Sequence, residues 1–192
     1  MKRIVLFASG AGSNAENIIR YFSNCNELEF PFVISNRADA GIHERVKNLN
    51  IPSFIFKKSD FENGNVLNFL QENAIDIVVL AGFLMKVPEN LVKAYPDRII
   101  NIHPALLPKF GGKGMYGSHV HEAVVAAGEK ESGITIHYVN ENYDEGRIIF
   151  QARCPVFPTD SPDDVAAKVH ALEYEHFPRI IGEIAELKED KR

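Results

Sequence analysis

The sequence predicts an α/β protein: a doubly wound, mostly parallel twisted sheet of the Rossmann-like type with an antiparallel C-terminal hairpin. Short apolar strands alternate with helical segments over the first half of the chain, a rhythm typical of parallel strands joined by crossover helices. A Gly-rich turn follows the first strand, at the edge where such sheets bind ligands. Two late strands are joined by a polar turn with no helix between them, which favours antiparallel pairing.

The parallel strands and their helices follow one another along the N-terminal half. We expect strands at 4–8, 32–34, 53–56, 75–81 and 98–102, and helices at 13–22, 38–48 and 61–72. The run 75–81 is the richest in β-branched residues, which predicts a central place in the sheet. The chain 1–192 is expected to form a single domain, with an N-terminal half of about 1–100 and a C-terminal half of about 101–192.

The predicted hairpin lies in the C-terminal half. Its strands, 135–139 and 147–156, flank the polar turn 140–146. Because a parallel pair would need a long crossover between its strands, these two are expected to pair antiparallel and to form one edge of the sheet.

A helix is predicted after the hairpin. Ser161 is a good N-cap and Pro162 suits the first helical position, so the helix begins here. We expect it to run to about Glu175, with Pro178 opening or kinking a last segment. The charged tail 186–192 is expected to be a frayed, solvated end.

Composition and charge limit the kinds of partner. The net charge of −5 argues against a general surface for nucleic acid, although one local phosphate site is still allowed. Cys25 and Cys154 lack the spacing of a disulfide framework or a metal site, so we expect reduced thiols. No stretch has the features of a signal peptide or a membrane span. We therefore expect a cytoplasmic protein with small-molecule partners and without nucleic acid or membrane contacts; the oligomeric state is unspecified.

The Gly-rich turn lies between the first strand and the first helix. Gly10 and Gly12, on either side of Ala11, permit positive φ and a close approach of the backbone to a ligand. Ser13 and Asn14 offer a hydroxyl and an amide, and free N–H groups at the helix start face the same space. A phosphate site is the favoured interpretation, and a tight turn without a ligand is the alternative.

The same turn matches the dinucleotide pattern G-x-G-x-x-G/A through Gly10, Gly12 and Ala15. That pattern predicts an acid near the end of the second strand, to hold ribose hydroxyls. The sequence 35–37 contains no carboxylate there. Arg37 could contact a 2′-phosphate instead, so an NADP-binding protein stays as a remote alternative.

Asn101 and His103 end a parallel strand, just before the Pro-rich loop 104–108. Alternation along the strand places both side chains on one face, and Pro104 restricts the backbone of His103. An amide can donate to an oxyanion, and an imidazole can carry a proton near neutral pH. The pair therefore predicts proton-transfer chemistry at the ligand-binding edge of the sheet.

A carboxylate is expected beside His103, to orient the ring and favour its charged form. The turn 140–146 contains three acids, Glu141, Asp144 and Glu145. Asp144 leads into the following strand and can be held by the hairpin. The sequence alone does not choose among the three.

Four motifs occur together in the order found in one enzyme family. They are Gly12-Ser13-Asn14, Leu80-Ala81-Gly82-Phe83, the nonapeptide NIHPALLPK from Asn101, and Asp144-Glu145-Gly146. From Ile4 to about Pro178, the chain resembles the phosphoribosylglycinamide formyltransferases. The resemblance implies transfer of a formyl group from 10-formyltetrahydrofolate, a co-substrate, to the amine of glycinamide ribonucleotide in purine biosynthesis, without a metal.

The resemblance also implies a role for each matching residue. His103 would act as acid and proton shuttle, Asn101 would bind the formyl oxygen, and Asp144 would raise the pKa of His103 and help to place a water. The N-terminal half would bind the ribonucleotide phosphate, and the C-terminal half would hold folate and the catalytic residues. The ribonucleotide would contact Gly10, Ala11, Gly12, Ser13, Asn14 and Glu173. The folate would contact Leu84, Met85, Lys86, Val87, Asn101, Val139, Asn140 and Asp144.

Two features depart from the family pattern. Met85 stands where many relatives carry Arg, which leaves the binding of the folate glutamate tail open. The loop 109–117 is longer than in shorter bacterial relatives. Its glycines and lysines fit either a mobile flap that approaches the phosphate or simply a flexible loop.

Three other histidines are further candidates for the site. His119 and His121 could form a metal pair, but on a helix their side chains diverge by about 200° and no clear further ligands follow, so we expect no metal. One of the two is expected to face the active site. His137 either faces the same way or lies satisfied in the sheet.

Related enzymes with the same three catalytic residues provide the nearest alternatives. Methionyl-tRNA formyltransferases carry a further C-terminal domain, for which this chain has no room. Formyltetrahydrofolate deformylases usually add an N-terminal regulatory domain, whereas this chain reaches its first strand almost at once. Deformylase is therefore the first alternative, and a folate- or nucleotide-binding regulator without activity is a more distant one.

Overall fold

The computed structural model describes residues 1–186, so the predicted charged tail lies outside the described residues except for its first member. The strands are β1 (Lys2–Phe7), β2 (Leu28–Glu29), β3 (Val33–Ser35), β4 (Ser53–Ile55), β5 (Ile77–Leu80), β6 (Ile99–His103), β7 (Glu131–Tyr138) and β8 (Ile148–Pro155). The helices are α1 (Ser13–Tyr21), α2 (Ile42–Lys47), α3 (Lys58–Glu62), α4 (Asn65–Glu72), α5 (Glu89–Ala94), α6 (Ser118–Ala126) and α7 (Pro162–Ile184). Within this range no helix combines the length and apolar character needed to cross a membrane.

The strands form one sheet in the order β4-β3-β1-β5-β6-β7-β8, with the short β2 beside β1. From β4 to β6 all neighbours are parallel. Strand β7 runs antiparallel to β6, and β8 antiparallel to β7. The predicted doubly wound sheet with an antiparallel hairpin is confirmed, as is the central place of the β-branched strand, β5.

Two apolar layers cover the two faces of the sheet. Along β1, Ile4 and Leu6 belong to one layer, whereas Val5 and Phe7 belong to the other. All four side chains are fully buried, because a parallel strand covered on both faces is apolar throughout rather than alternating. The carboxyl ends of the strands, where polar residues begin, are left to form a site.

Some helices differ from the predicted bounds. The stretch 61–72 forms parts of two helices, α3 and α4, separated at Gly64. The φ of Gly64 is 90°, a left-handed conformation that interrupts a helix. Helix α2 begins at Ile42 rather than at 38. Strand β2 and helix α5 were not predicted; β2 has two residues, too few to show a period.

Helix α7 starts as the sequence predicts. The Ser161 hydroxyl accepts a hydrogen bond from the Asp164 N–H at 3.2 Å, and the Asp164 carboxylate accepts one from the Ser161 N–H at 2.8 Å. Such a reciprocal capping box satisfies two N–H groups that have no partner within the helix.

The predicted end of α7 near Glu175 was wrong, because the helix continues through Pro178 to Ile184. Proline has no N–H to donate to the carbonyl four residues earlier, here that of Tyr174. This carbonyl instead accepts a hydrogen bond from Asn17 Nδ2 of α1 at 3.0 Å. Since the freed carbonyl finds a partner, the helix does not have to end.

Candidate active site

One cavity of about 820 Å³ lies at the carboxyl ends of β1, β5 and β6, the edge where open α/β sheets bind ligands. It brings together residues that lie far apart in the sequence. Ten of the residues predicted for the site line it: Gly10, Ala11, Gly12, Ser13, Asn14, Leu84, Asn101, His103, Asp144 and Glu173.

The Gly-rich turn forms one wall of the cavity. Gly12 has a φ of 75°, and a Cβ built on it would lie 2.4 Å from Ile42 Cδ1, so only glycine fits there. Helix α1 begins at the next residue, Ser13. The N–H groups of its first turn have no partner within the helix and carry its positive end. This wall can therefore bind an anion.

The amide of Asn101 is oriented by His137 from β7. The His137 Nδ1 lies 2.8 Å from the Tyr138 carbonyl, which only accepts, so Nδ1 carries the proton. The unprotonated Nε2 then accepts from Asn101 Nδ2 at 3.1 Å. One hydrogen of the Asn101 amide is thereby used, and the other is left for a ligand in the cavity.

His103 is held by two contacts on opposite sides of its ring. Its Nε2 donates to the Phe110 carbonyl at 2.7 Å, and its Nδ1 lies 3.6 Å from Asp144 Oδ2. Burial, with 3% of the residue exposed, lowers the pKa of His103, and the charge of Asp144 raises it by less. The expected upward effect of Asp144 is present, but the net pKa of His103 is lowered and the ring is neutral at pH 7.

Among the three acids of the turn, Asp144 is the one that reaches the cavity. It adopts a φ of 55° and accepts the Gly112 N–H at 2.9 Å, whereas Glu141 and Glu145 are exposed. Burial raises the pKa of the Asp144 carboxyl, but hydrogen bonding and nearby charge, with the Gly112 N–H among the donors, outweigh burial and lower its pKa overall. Asp144 is therefore an anion beside a neutral imidazole.

Glu173, on α7, lines the same cavity directly beside the Gly-rich turn. It is 4% exposed, and its Oε2 accepts from Asn14 Nδ2 at 2.9 Å and from His170 Nδ1 at 2.8 Å. Because Asn14 lies in the Gly-rich turn and Glu173 on α7, this hydrogen bond ties the first helix of the chain to the last one.

A second cavity of about 530 Å³ adjoins the first one and shares Leu84 and Tyr143 with it. The predicted folate residues 85–87 line this second cavity. Val139 and Asn140 line neither one. The Val139 N–H donates to Ile99 within the sheet, and Asn140 Oδ1 accepts the N–H of Asn142.

The loop 109–117 packs against His103 and Asp144. The Phe110 carbonyl contacts His103 and the Gly112 N–H contacts Asp144, while residues 112–117 line the larger cavity. Gly111 packs close to the Leu107 side chain, since a Cβ built on it would lie 2.5 Å from Leu107 Cδ2. The loop is thus part of the cavity wall.

The structure places four histidines whose positions the sequence does not determine. His121 is buried and lines the cavity, whereas His119 is exposed and packs on the Tyr116 ring. His137 faces Asn101, as its place opposite it in the β6–β7 ladder allows. His170 was not singled out, although it lies one turn before Glu173. Within 1–186, no three His, Cys, Asp or Glu residues form a metal-binding group.

The NADP alternative depended on Arg37. Its guanidinium forms two hydrogen bonds with Asp39, at 2.7 and 3.0 Å, and it does not line the cavity. The Arg37 guanidinium is therefore directed to a neighbouring acid instead of to the ligand-binding edge.

Comparisons with known proteins show what the chain is similar to. A family model described as formyl transferase matches residues 2–181. A phosphoribosylglycinamide formyltransferase of Haemophilus influenzae is 36% identical over 190 residues, which cover 94% of this chain and 86% of that protein. The crystal structure of a phosphoribosylglycinamide formyltransferase from Anaplasma phagocytophilum has a TM-score of 0.88 and 35% identity, with 96% of this chain and 87% of that chain covered.

Some relatives are longer than this chain. The chloroplastic phosphoribosylglycinamide formyltransferase of Arabidopsis thaliana is 39% identical over 96% of this chain, but only 66% of that protein is covered. The chain thus spans a little under two thirds of the length of that relative. By sequence and by fold, the chain belongs to the formyl transferase family, and its relatives there are phosphoribosylglycinamide formyltransferases.

Proposed function

We propose that this chain is a transferase that moves the formyl group of 10-formyltetrahydrofolate to the amine of glycinamide ribonucleotide, giving formylglycinamide ribonucleotide and tetrahydrofolate in purine biosynthesis. One observation carries the proposal: Asn101, His103 and Asp144 share one cavity with an anion-binding helix start. The names of the relatives support the same reaction.

The chemistry requires an oxyanion donor and a proton carrier, and the site supplies both. The neutral amine of the acceptor attacks the formyl carbon and forms a tetrahedral oxyanion. The free hydrogen of the Asn101 amide stabilises this oxyanion. His103, neutral before reaction, takes the proton that the new C–N bond releases and delivers it to the folate nitrogen, which then leaves. Asp144 stabilises the imidazolium between these two steps.

We assign the ribonucleotide to the Gly-rich wall. Its phosphate would lie against residues 10–14, where the first turn of α1 presents free N–H groups. Glu173, which adjoins this wall, would accept hydrogen bonds from the sugar or the glycinamide. The hydrogen bond between Glu173 and Asn14 of the Gly-rich turn supports this arrangement.

We assign the folate to the junction of the two cavities. The pterin would lie along 84–87 and beside Tyr143 and Asp144, the turn residues that line the larger cavity, and the second cavity would take the rest of the molecule. Its apolar lining by Phe61, Met85 and Val87 suits an aromatic ring. Val139 and Asn140, which line neither cavity, are left out of this assignment. No metal is required at any step.

The reaction is tested by following release of free folate from 10-formyltetrahydrofolate, with and without glycinamide ribonucleotide. We expect release only when the ribonucleotide is present. Equal release without it would identify a deformylase instead. Absence of release under both conditions would favour a binding protein.

We also propose a cytoplasmic location. Both cysteines are free thiols, which suits a reducing compartment. The chloroplastic relatives show that the alternative is an organelle, and fractionation of cells that express a tagged chain would distinguish the two.

A further inference from the structure

Glu173 is a buried carboxylate in the cavity wall, away from the catalytic residues 101, 103 and 144. Two donors, Asn14 Nδ2 and His170 Nδ1, converge on a single oxygen, Oε2. Within 1–186, no donor contacts the other oxygen, Oε1. A buried carboxylate needs hydrogen bonds to stay charged, and Oε1 can accept one from a ligand.

Asn14 presents a second acceptor beside Glu173. Its Oδ1 is buried and has no hydrogen-bond partner among the described residues. The amide cannot be reversed, since reversal would place Oδ1 against the Glu173 carboxylate, and both groups only accept. The side chain of Asn14 therefore has no free donor for a phosphate, and such donors must come from the backbone of the turn and from the Ser13 hydroxyl.

His170 is the donor to Glu173 that can carry charge. It lies one turn before Glu173 on α7, and its side chain is 57% exposed at the edge of the cavity. The hydrogen bond to Glu173 raises the pKa of His170, and burial opposes this by less. Its other titratable neighbours are His121 on α6, whose own pKa is lowered chiefly by burial, and the ring of Tyr174, 6.4 Å away.

We propose that His170 is a positioning residue for Glu173. It fixes Oε2, so that Oε1 is directed to the hydroxyl groups of the acceptor substrate, and its positive charge cancels the carboxylate that would repel a phosphorylated molecule. This inference rests on the proposed transfer to a ribonucleotide. It predicts that His170 affects the KM of the ribonucleotide and leaves the KM of the folate and kcat nearly unchanged.

The test compares His170→Gln, which keeps a donor without charge, with His170→Lys, which keeps the charge. The KM of each substrate is measured from about pH 6 to about pH 8.5. In the wild type, the ribonucleotide KM should rise as His170 loses its proton. In His170→Gln the ribonucleotide KM should be about tenfold higher than in the wild type at low pH and should not rise further with pH. In His170→Lys the ribonucleotide KM should stay low up to a higher pH than in the wild type. Because every variant uses the same substrate, the titration of the substrate phosphate cancels in the ratios.

His119→Ala provides the matched control, since His119 is exposed on α6 and does not line the cavity; its KM values should equal those of the wild type. An unchanged ribonucleotide KM in His170→Gln would overturn the proposal. So would an equal change in the folate KM, which indicates general damage to the fold.

A second measurement does not depend on activity. The ring of His170 is titrated by NMR in the wild type and in Glu173→Gln, and its pKa should fall when the carboxylate is removed. An unchanged pKa would refute the pairing. If the wild type lacks ribonucleotide-dependent turnover while this titration behaves as expected, the proposed function fails and the pairing of His170 with Glu173 stands.

Discussion

Asp144 lies 3.6 Å from His103 and raises its pKa against the larger, opposite effect of burial. Asp144→Asn preserves the shape and an oxygen for the Gly112 N–H, but it removes the charge that raises the pKa of His103. We expect kcat to fall by about 10²-fold or more and the acidic limb of the pH–rate profile to move to lower pH. Glu145→Gln, an exposed acid in the same turn, should leave both unchanged. A limb that stays in place in Asp144→Asn would show that Asp144 does not act through His103.

Asn101 is the second residue whose contribution can be isolated. Its free amide hydrogen is directed to a charge that develops only during reaction, so Asn101→Ala should lower kcat by about 10²–10³-fold with little change in either KM. Steady-state kinetics with both substrates measures this split. Asn142→Ala is the control, because only its backbone N–H contacts Asn140. Near-wild-type turnover in Asn101→Ala would contradict its assignment.

At the scale of elements, Gly146 of the β7–β8 hairpin packs against Tyr138 and against His137, the residue that orients Asn101. A Cβ there would lie 1.6 Å from the Tyr138 carbonyl oxygen and 3.4 Å from His137 Nδ1. Gly146→Ala must therefore displace the carbonyl that fixes the ring of His137. We expect a loss of about 2 kcal/mol or more in the free energy of unfolding, together with reduced kcat. Urea unfolding measures this loss, with Glu145→Ala, a change at the exposed neighbouring residue, as the control. Equal free energies of unfolding in the two variants would contradict the prediction.

The elements also show what the sequence can and cannot predict. Apolar periodicity predicts β1, β5 and β6, and strand alternation places Asn101 and His103 on one face. Asp144 could not be chosen among three acids, because the choice depends on its positive φ and on Gly112, 32 residues away. The continuity of α7 likewise depends on a hydrogen bond from α1. Long-range contacts of this kind leave no local pattern.

For the whole molecule, we propose that 1–192 is a single folding unit. Strand β6 of the C-terminal half pairs with β5 of the N-terminal half, and the cavity draws its walls from both. Separate halves would expose these surfaces, so urea unfolding should show one cooperative transition.

The same unfolding experiment should reveal a dependence on pH. His103 and His121 have lowered pKa values in the folded state, chiefly because of burial. The unfolded chain therefore binds more protons below the ordinary histidine pKa, and the free energy of unfolding should decrease as pH falls from about 7.5 to about 5.5. His170, whose pKa is raised, acts in the opposite direction but is half exposed. His121→Gln should flatten the decrease, and a steeper decrease would contradict the sign.

The hydrogen bond between His103 and the Phe110 carbonyl determines which ring nitrogen of His103 faces Asp144 without a hydrogen. The only N–H of the neutral His103 ring, at Nε2, donates to that carbonyl, so the Nδ1 lone pair faces Asp144 Oδ2. Both atoms are acceptors, and they repel each other. A proton bound at His103 Nδ1 would convert this repulsion into attraction, so the geometry of the pair favours holding a proton between the two residues.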